Sequence, residues 1–137
     1  MTRDERRGEM NPGAPPDTIQ GGLQPGLTGR EEIEIGDAHL TRHVGGRGVF
    51  ATPAMIWLME NVAHGSVAPL LDPAQTTVGY EVHVRHLAPA DPGERIVVTS
   101  RLVEVRGNRL AFEVEARRGD TVIGNGLHRR AVVSTRS

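Results

Sequence analysis

The 137-residue chain contains no cysteine. Disulfides, thiolate metal sites and cysteine nucleophiles are therefore excluded. Aromatic residues make up only 3% of it, one Trp, one Tyr and two Phe, which leaves little for stacking nucleic-acid bases. A surplus of one charge is missing too. The formal net charge is −1 with both signs interspersed, whereas a nucleic-acid binder usually carries a basic stripe. There is no long hydrophobic run: Glu60 breaks the most apolar stretch well short of the roughly 18 residues a spanning helix needs. The N-terminus, MTRDERRGEMNPGAPPD, lacks the apolar segment of a signal peptide. These absences predict a soluble cytoplasmic domain with neither nucleic acid nor membrane as partner.

What is present is an ordered alternation of patterns. Residues 1–28 are rich in Gly and Pro without hydrophobic period and read as an N-terminal arm, with a short ordered piece near Leu23–Leu27. A domain follows over 29–137. "REEIEIGDAHLTR" predicts a first strand near 31–35, and "HVGGRG" a glycine-rich loop. In "VFATPAMIWLMENVAHG", Thr52 reads as an N-cap and Pro53 as the first helical residue. Met55, Ile56, Trp57, Leu58, Met59, Val62, Ala63 and Val67 cover most of the circumference, so this helix should be surrounded by protein until about residue 68. "TTVGYEVHVRHL" alternates, with Tyr80, Val82, Val84 and His86 on one face. "RIVVTSRLVEVR", "LAFEVEAR" and "VIGNGLHRRAVV" are three more strands, joined at "RGNR" and "RGDT". Leu110, Phe112, Val114 and Ala116 should point inward. The class is α+β, and an antiparallel sheet of about five strands wrapped around one long helix is the layout of a hot-dog fold. A helix apolar on nearly every side also predicts at least a homodimer.

Within this frame a few polar residues stand out. Glu60 sits mid-helix with no Lys or Arg between Arg47 and Arg85 to pair with. An unpaired buried carboxylate is costly, so it is either wetted on a minor polar face with Asn61 and His64 or held in a cleft as base or nucleophile. A local Glu60–His64 pair is a further option at i, i+4 spacing. His86 ends an inward face, while His83 has the opposite parity, so "HVRH" is no metal pair, and no other spacing resembles a metal site. Thr52 lies where free helix N–H groups gather. Gly79 marks either a bulge or a close approach of ligand to backbone, and Gly124 and Gly126 are open in the same way. Arg129 and Arg130 read most simply as a solvated pair, though either could meet a phosphate.

"VFATPAMIWLMENVAHGSVAPLLDP", then "VGYEVHVRHLAPADPG" and "IGNGLHRRAVV", together resemble the fluoroacetyl-CoA thioesterase-type hot-dog proteins over roughly residues 27–133. The spacing of Thr52, Glu60 and His86 carries most of the resemblance. It implies that these three are the catalytic Thr, Glu and His of an acyl-CoA thioester hydrolase that needs neither metal nor redox cofactor. It implies a homodimer or higher homo-oligomer with active sites by the interface. Gly79 matches the glycine whose N–H lies near the thioester carbonyl, and Arg130, in a "G-x-G-x-H-x-R" pattern with His128, is placed near the ligand pocket. The family's lid phenylalanines are replaced by His43 and Gly46, which leaves the acyl group open. A non-catalytic acyl-CoA sensor needs the pocket but not the Thr52/Glu60/His86 set. A hot-dog hydratase would pair an Asp and a His in a motif absent from this chain.

Overall fold

A computed structural model describes residues 22–136. Most of the predicted arm, residues 1–21, therefore lies outside the described residues. Leu23 is buried and Leu27 packs against the core, ahead of strand β1 (Thr28–Glu34). That strand starts earlier than its weak alternation suggested, because its backbone pairs with β5 along its whole length. The glycine loop links two short strands, β2 (Leu40–Thr41) and β3 (Val49–Phe50), which pair with each other.

The helix α1 spans Thr52–Val67 and continues into a 3-10 turn, Ala68–Leu70, where Pro69 ends it. Ala51 is the N-cap and offers no side-chain bond. Thr52 is thus the first helical residue and not the cap that the sequence suggested. Its hydroxyl turns sideways instead, to the ring of His86.

Strands β4 (Gln75–His86), β5 (Arg95–Arg106), β6 (Arg109–Arg118) and β7 (Thr121–Ser134) follow the sequence reading closely. Gly107 and Gly119 turn the last two hairpins at φ of 59° and 57°, a region glycine enters without a Cβ penalty. The five long strands form one antiparallel sheet in the order β1-β5-β6-β7-β4, wrapped around α1. This is the hot-dog arrangement.

Met55, Leu58, Met59, Val62, Ala63 and Val67 make the buried face of α1. Against them pack Ile96, Val98, Leu102, Leu110, Phe112, Val114, Ala116 and Ile123 from the sheet. Burying such side chains contributes about 1.5–3 kcal/mol each. The helix is not enclosed on every side within one chain. Pro53, Trp57 and Asn61, spaced by four, form an exposed stripe, and Trp57 is 60% exposed.

β4 departs from strict alternation. A bulge between Gly79 and Glu81 absorbs Tyr80. Gly79 pairs with Arg130 before it, and Val82, Val84 and His86 pair with His128, Gly126 and Gly124 after it. The extra residue puts Gly79 and His86 on the same face of the sheet although their parities differ. Tyr80 leaves that face and lies 43% exposed, contrary to the parity reading. Gly124 and Gly126 are packing glycines: a Cβ at Gly124 would lie 2.5 Å from Met55 Sδ, and one at Gly126 would lie 2.0 Å from the His83 carbonyl oxygen.

Candidate active site

Two clusters of polar groups face α1. The first is at its N-terminus. Thr52 Oγ1 and His86 Nδ1 are 2.7 Å apart and share a hydrogen bond. Phe50 meets the His86 ring edge-on at 5.9 Å and holds its plane. Burial lowers the His86 pKa below the ordinary 6.5, while the nearby Ala88 backbone raises it. The ring is therefore mostly neutral at pH 7. Its Nε2 is buried and, among the described residues, makes no well-formed hydrogen bond, with only the Ala88 backbone nearby. Leaving such an atom unpaired costs free energy, and that cost is often found at reacting groups.

The second cluster answers how a carboxylate survives in an apolar helix. The Arg130 guanidinium, reaching in from β7, lies 3.8 Å from Glu60 Oε1. Arg130 is buried, 7% exposed, and so is no solvated surface residue; it lies in the cluster with Glu60 and Gly79. Its Nε donates to Thr77 Oγ1 at 2.8 Å, one terminal nitrogen to the Thr77 carbonyl at 3.0 Å, and the other to His128 Nε2 at 3.1 Å. With Nε2 accepting, His128 carries its proton on Nδ1 and donates it to the Glu81 carbonyl at 2.9 Å. Burial and, less strongly, the Arg130 charge lower the His128 pKa, while the Glu81 carbonyl and Glu60 oppose them. His64 Nδ1 bonds Thr77 Oγ1 at 2.7 Å, so the local Glu60–His64 pair does not form. Burial, then Arg130, lowers the His64 pKa.

Gly79 lies over this cluster. A Cβ there would be 2.9 Å from His128 Cε1, 3.1 Å from an Arg130 terminal nitrogen and 3.2 Å from Glu60 Oε1. The missing side chain keeps the backbone in reach of the carboxylate. Glu60 itself remains 38% exposed in its side chain, so it is not sealed off by the protein. His83 and Arg129 point to the other face and pair with Glu81.

The structure thus brings Thr52 to His86, and Glu60 to Gly79 and Arg130. It does not join the two groups within one chain. Thr52 and Glu60 are eight residues apart on α1, about 12 Å along the helix axis. The contribution of Thr77 and His64 was missed. No local pattern marks Thr77, since its role depends on cross-strand pairing with β7.

The sequence model of the fluoroacetyl-CoA-specific thioesterase family matches residues 34–136. A fluoroacetyl-CoA thioesterase of Streptantibioticus cattleyicolor is 41% identical over 85 residues, 62% of this chain. That match spans 61% of the relative's length. Solved structures of the fluoroacetyl-CoA thioesterase FlK, one a variant in complex with fluoroacetate and CoA, superpose with a TM-score of 0.76 at 32% identity. They cover 82% of this chain and 90% and 96% of their own. A hot-dog-like protein from Thermanaerovibrio acidaminovorans shares the fold at a TM-score of 0.76 and 24% identity, over 82% of this chain and 85% of that one.

Proposed function

The chain belongs to the fluoroacetyl-CoA-specific thioesterase family, and from that premise we propose that it hydrolyses an acyl-CoA thioester to the free acid and coenzyme A. The observation that carries the reading is Glu60: a carboxylate beside a buried guanidinium, opening toward the bare backbone of Gly79. A thioester carbonyl placed there meets a base or nucleophile and, at the β4 backbone, a donor for its developing oxyanion. Such a donor contributes roughly 3–4 kcal/mol.

Glu60 acts on the carbonyl carbon, either directly or through a water it deprotonates. In both routes one water is consumed, the C–S bond breaks, and coenzyme A leaves as a thiolate that takes up a proton. His86 takes part in the proton exchange from the Thr52 side, where the Thr52 hydroxyl bonds its Nδ1. Thr77 and His128 take three of the five Arg130 N–H donors, which fixes the guanidinium beside Glu60. It orients Glu60 and offers it a compensating charge.

The complete site lies between two copies of the chain. The 12 Å separation along α1 supports this, as does the open edge of the sheet at β4. Val78 and Tyr80 leave apolar area on that strand, as does Leu127 beside it on β7. Antiparallel pairing of β4 with its copy, about a two-fold axis at His83, sets Val82 opposite the partner's Val84 and, past the Tyr80 bulge, Gly79 opposite the partner's His86. Glu60 of one copy then faces the partner's Thr52–His86 pair. A cytoplasmic location goes with this reading, since coenzyme A thioesters are intracellular substrates. The test is thiol release over a panel of acyl-CoAs, followed with a thiol reagent. At least one should be cleaved. Binding of acyl-CoA without thiol release from any of them would make the chain a sensor.

A further inference from the structure

The chain has four Phe, Tyr and Trp residues in all, and two of them stand at the start of α1. Phe50 is buried there between His39 and His86, at 6.5 and 5.9 Å in edge-to-face contact. Trp57 is not buried. The residue is 60% exposed and lines a wide, open groove of about 780 Å³, together with His39 and His43 and, beside it, Pro53 and Ala54. Thr52 lines the same cleft and is the residue it shares with the His86 pair.

The size of this cleft is informative. A two-carbon acyl group has three heavy atoms besides sulfur and occupies on the order of 100 Å³, the share of about three waters. It would leave most of the cleft unfilled and the indole in water. A flat apolar body fits better. An indole presents its face to an aromatic ring at stacking distance, and the His39 and His43 rings can close on its edge. Gly45 and Gly46 in the adjoining loop, with φ of 84° and 62°, add no side chain of their own to the space.

We propose that Trp57 sets the acyl preference of this site, and that the favoured substrates are coenzyme A thioesters whose acyl group carries an aromatic ring. The inference rests on the thioesterase reading and names its substrate class. The indole selects by lining the cleft. It takes no part in bond breaking.

Trp57 is the only Trp, so it reports on its own cleft. Titrating the whole protein with the non-hydrolysable thioether analogue of phenylacetyl-CoA should shift or quench its emission, and coenzyme A alone should do so less. In parallel, kcat/KM is measured for phenylacetyl-CoA and acetyl-CoA with wild type, Trp57→Phe and Trp57→Ala. The wild-type ratio should favour phenylacetyl-CoA. It should fall by at least about tenfold in Trp57→Ala, within the range a reshaped apolar pocket gives, and by less in Trp57→Phe, which keeps a ring. A ratio equal in all three proteins, or emission unmoved by a saturating aryl analogue, overturns the inference while hydrolysis itself stands. In that case another occupant, such as the partner subunit, covers the indole. If no acyl-CoA is hydrolysed or bound at all, the thioesterase reading and this inference fail together.

Discussion

Glu60 owes its place in an apolar helix to Arg130, which arrives from the last strand of the sheet. The dependence runs both ways, and so does the first prediction. Arg130→Met removes three donated hydrogen bonds and the charge beside Glu60. Stability should drop by about 2–3 kcal/mol in urea unfolding, since Thr77 and His128 are left with unmet acceptors. A variant as stable as wild type would show that the network is idle. Thr52 makes a second residue-scale case. Its hydroxyl bonds His86 and does not cap the helix. Thr52→Ser should retain most of kcat/KM, whereas Thr52→Ala should lose it while melting near wild type. Equal activity in both would remove the hydroxyl from the mechanism. The candidate residues were legible as types at a spacing, but their partners were not. Nothing in the helix sequence points to a guanidinium that only the β4–β7 register brings underneath it.

At the scale of elements, the helix, the last two hairpins and the limits of β4 to β7 were readable because each is set locally, whereas β1 begins earlier than its own pattern suggests because β5 pairs with it. Pro53 and Pro69 bracket α1, and Gly107 and Gly119 punctuate the strands. The bulge in β4 was only half readable. Gly79 marked a disturbance, but the change of face that follows is a property of two paired strands and escapes a count along one. The Gly124 cradle belongs here too. Gly124→Ala should destabilise by about 1–3 kcal/mol, because its Cβ would press on Met55 and, at 2.7 Å, on the Arg85 carbonyl, and backbone gives way less readily than a thioether. An unchanged midpoint would mean that β4 and β7 can part without cost. The open edge of β4 gives another expectation. Val82→Lys puts two ammonium groups near the proposed two-fold axis. Light scattering should then show a monomer, against a dimer for wild type. A monomeric wild type would refute the assembly outright.

For the whole molecule, pH links stability to three histidines. His64, His86 and His128 all have pKa values lowered chiefly by burial. The unfolded chain therefore binds more protons than the native one as pH falls through the ordinary value of 6.5. Their contribution to stability is complete above that value and is lost below it, toward the lowered native pKa values. The melting temperature should accordingly fall between pH 7.5 and pH 5, and a flat profile would show these rings to be solvated. Assembly of the site can be tested directly by mixing two inactive chains. Glu60→Gln and His86→Ala are each expected to fold and to lose at least about 10²-fold in thioester hydrolysis. Co-refolded in equal amounts, half the dimers pair unlike chains. If Glu60 works with the partner's His86, each of those dimers holds one intact site of two, and about a quarter of wild-type activity returns. Near wild-type hydrolysis by Glu60→Gln alone, or a mixture that stays as inactive as its parts, would contradict the account.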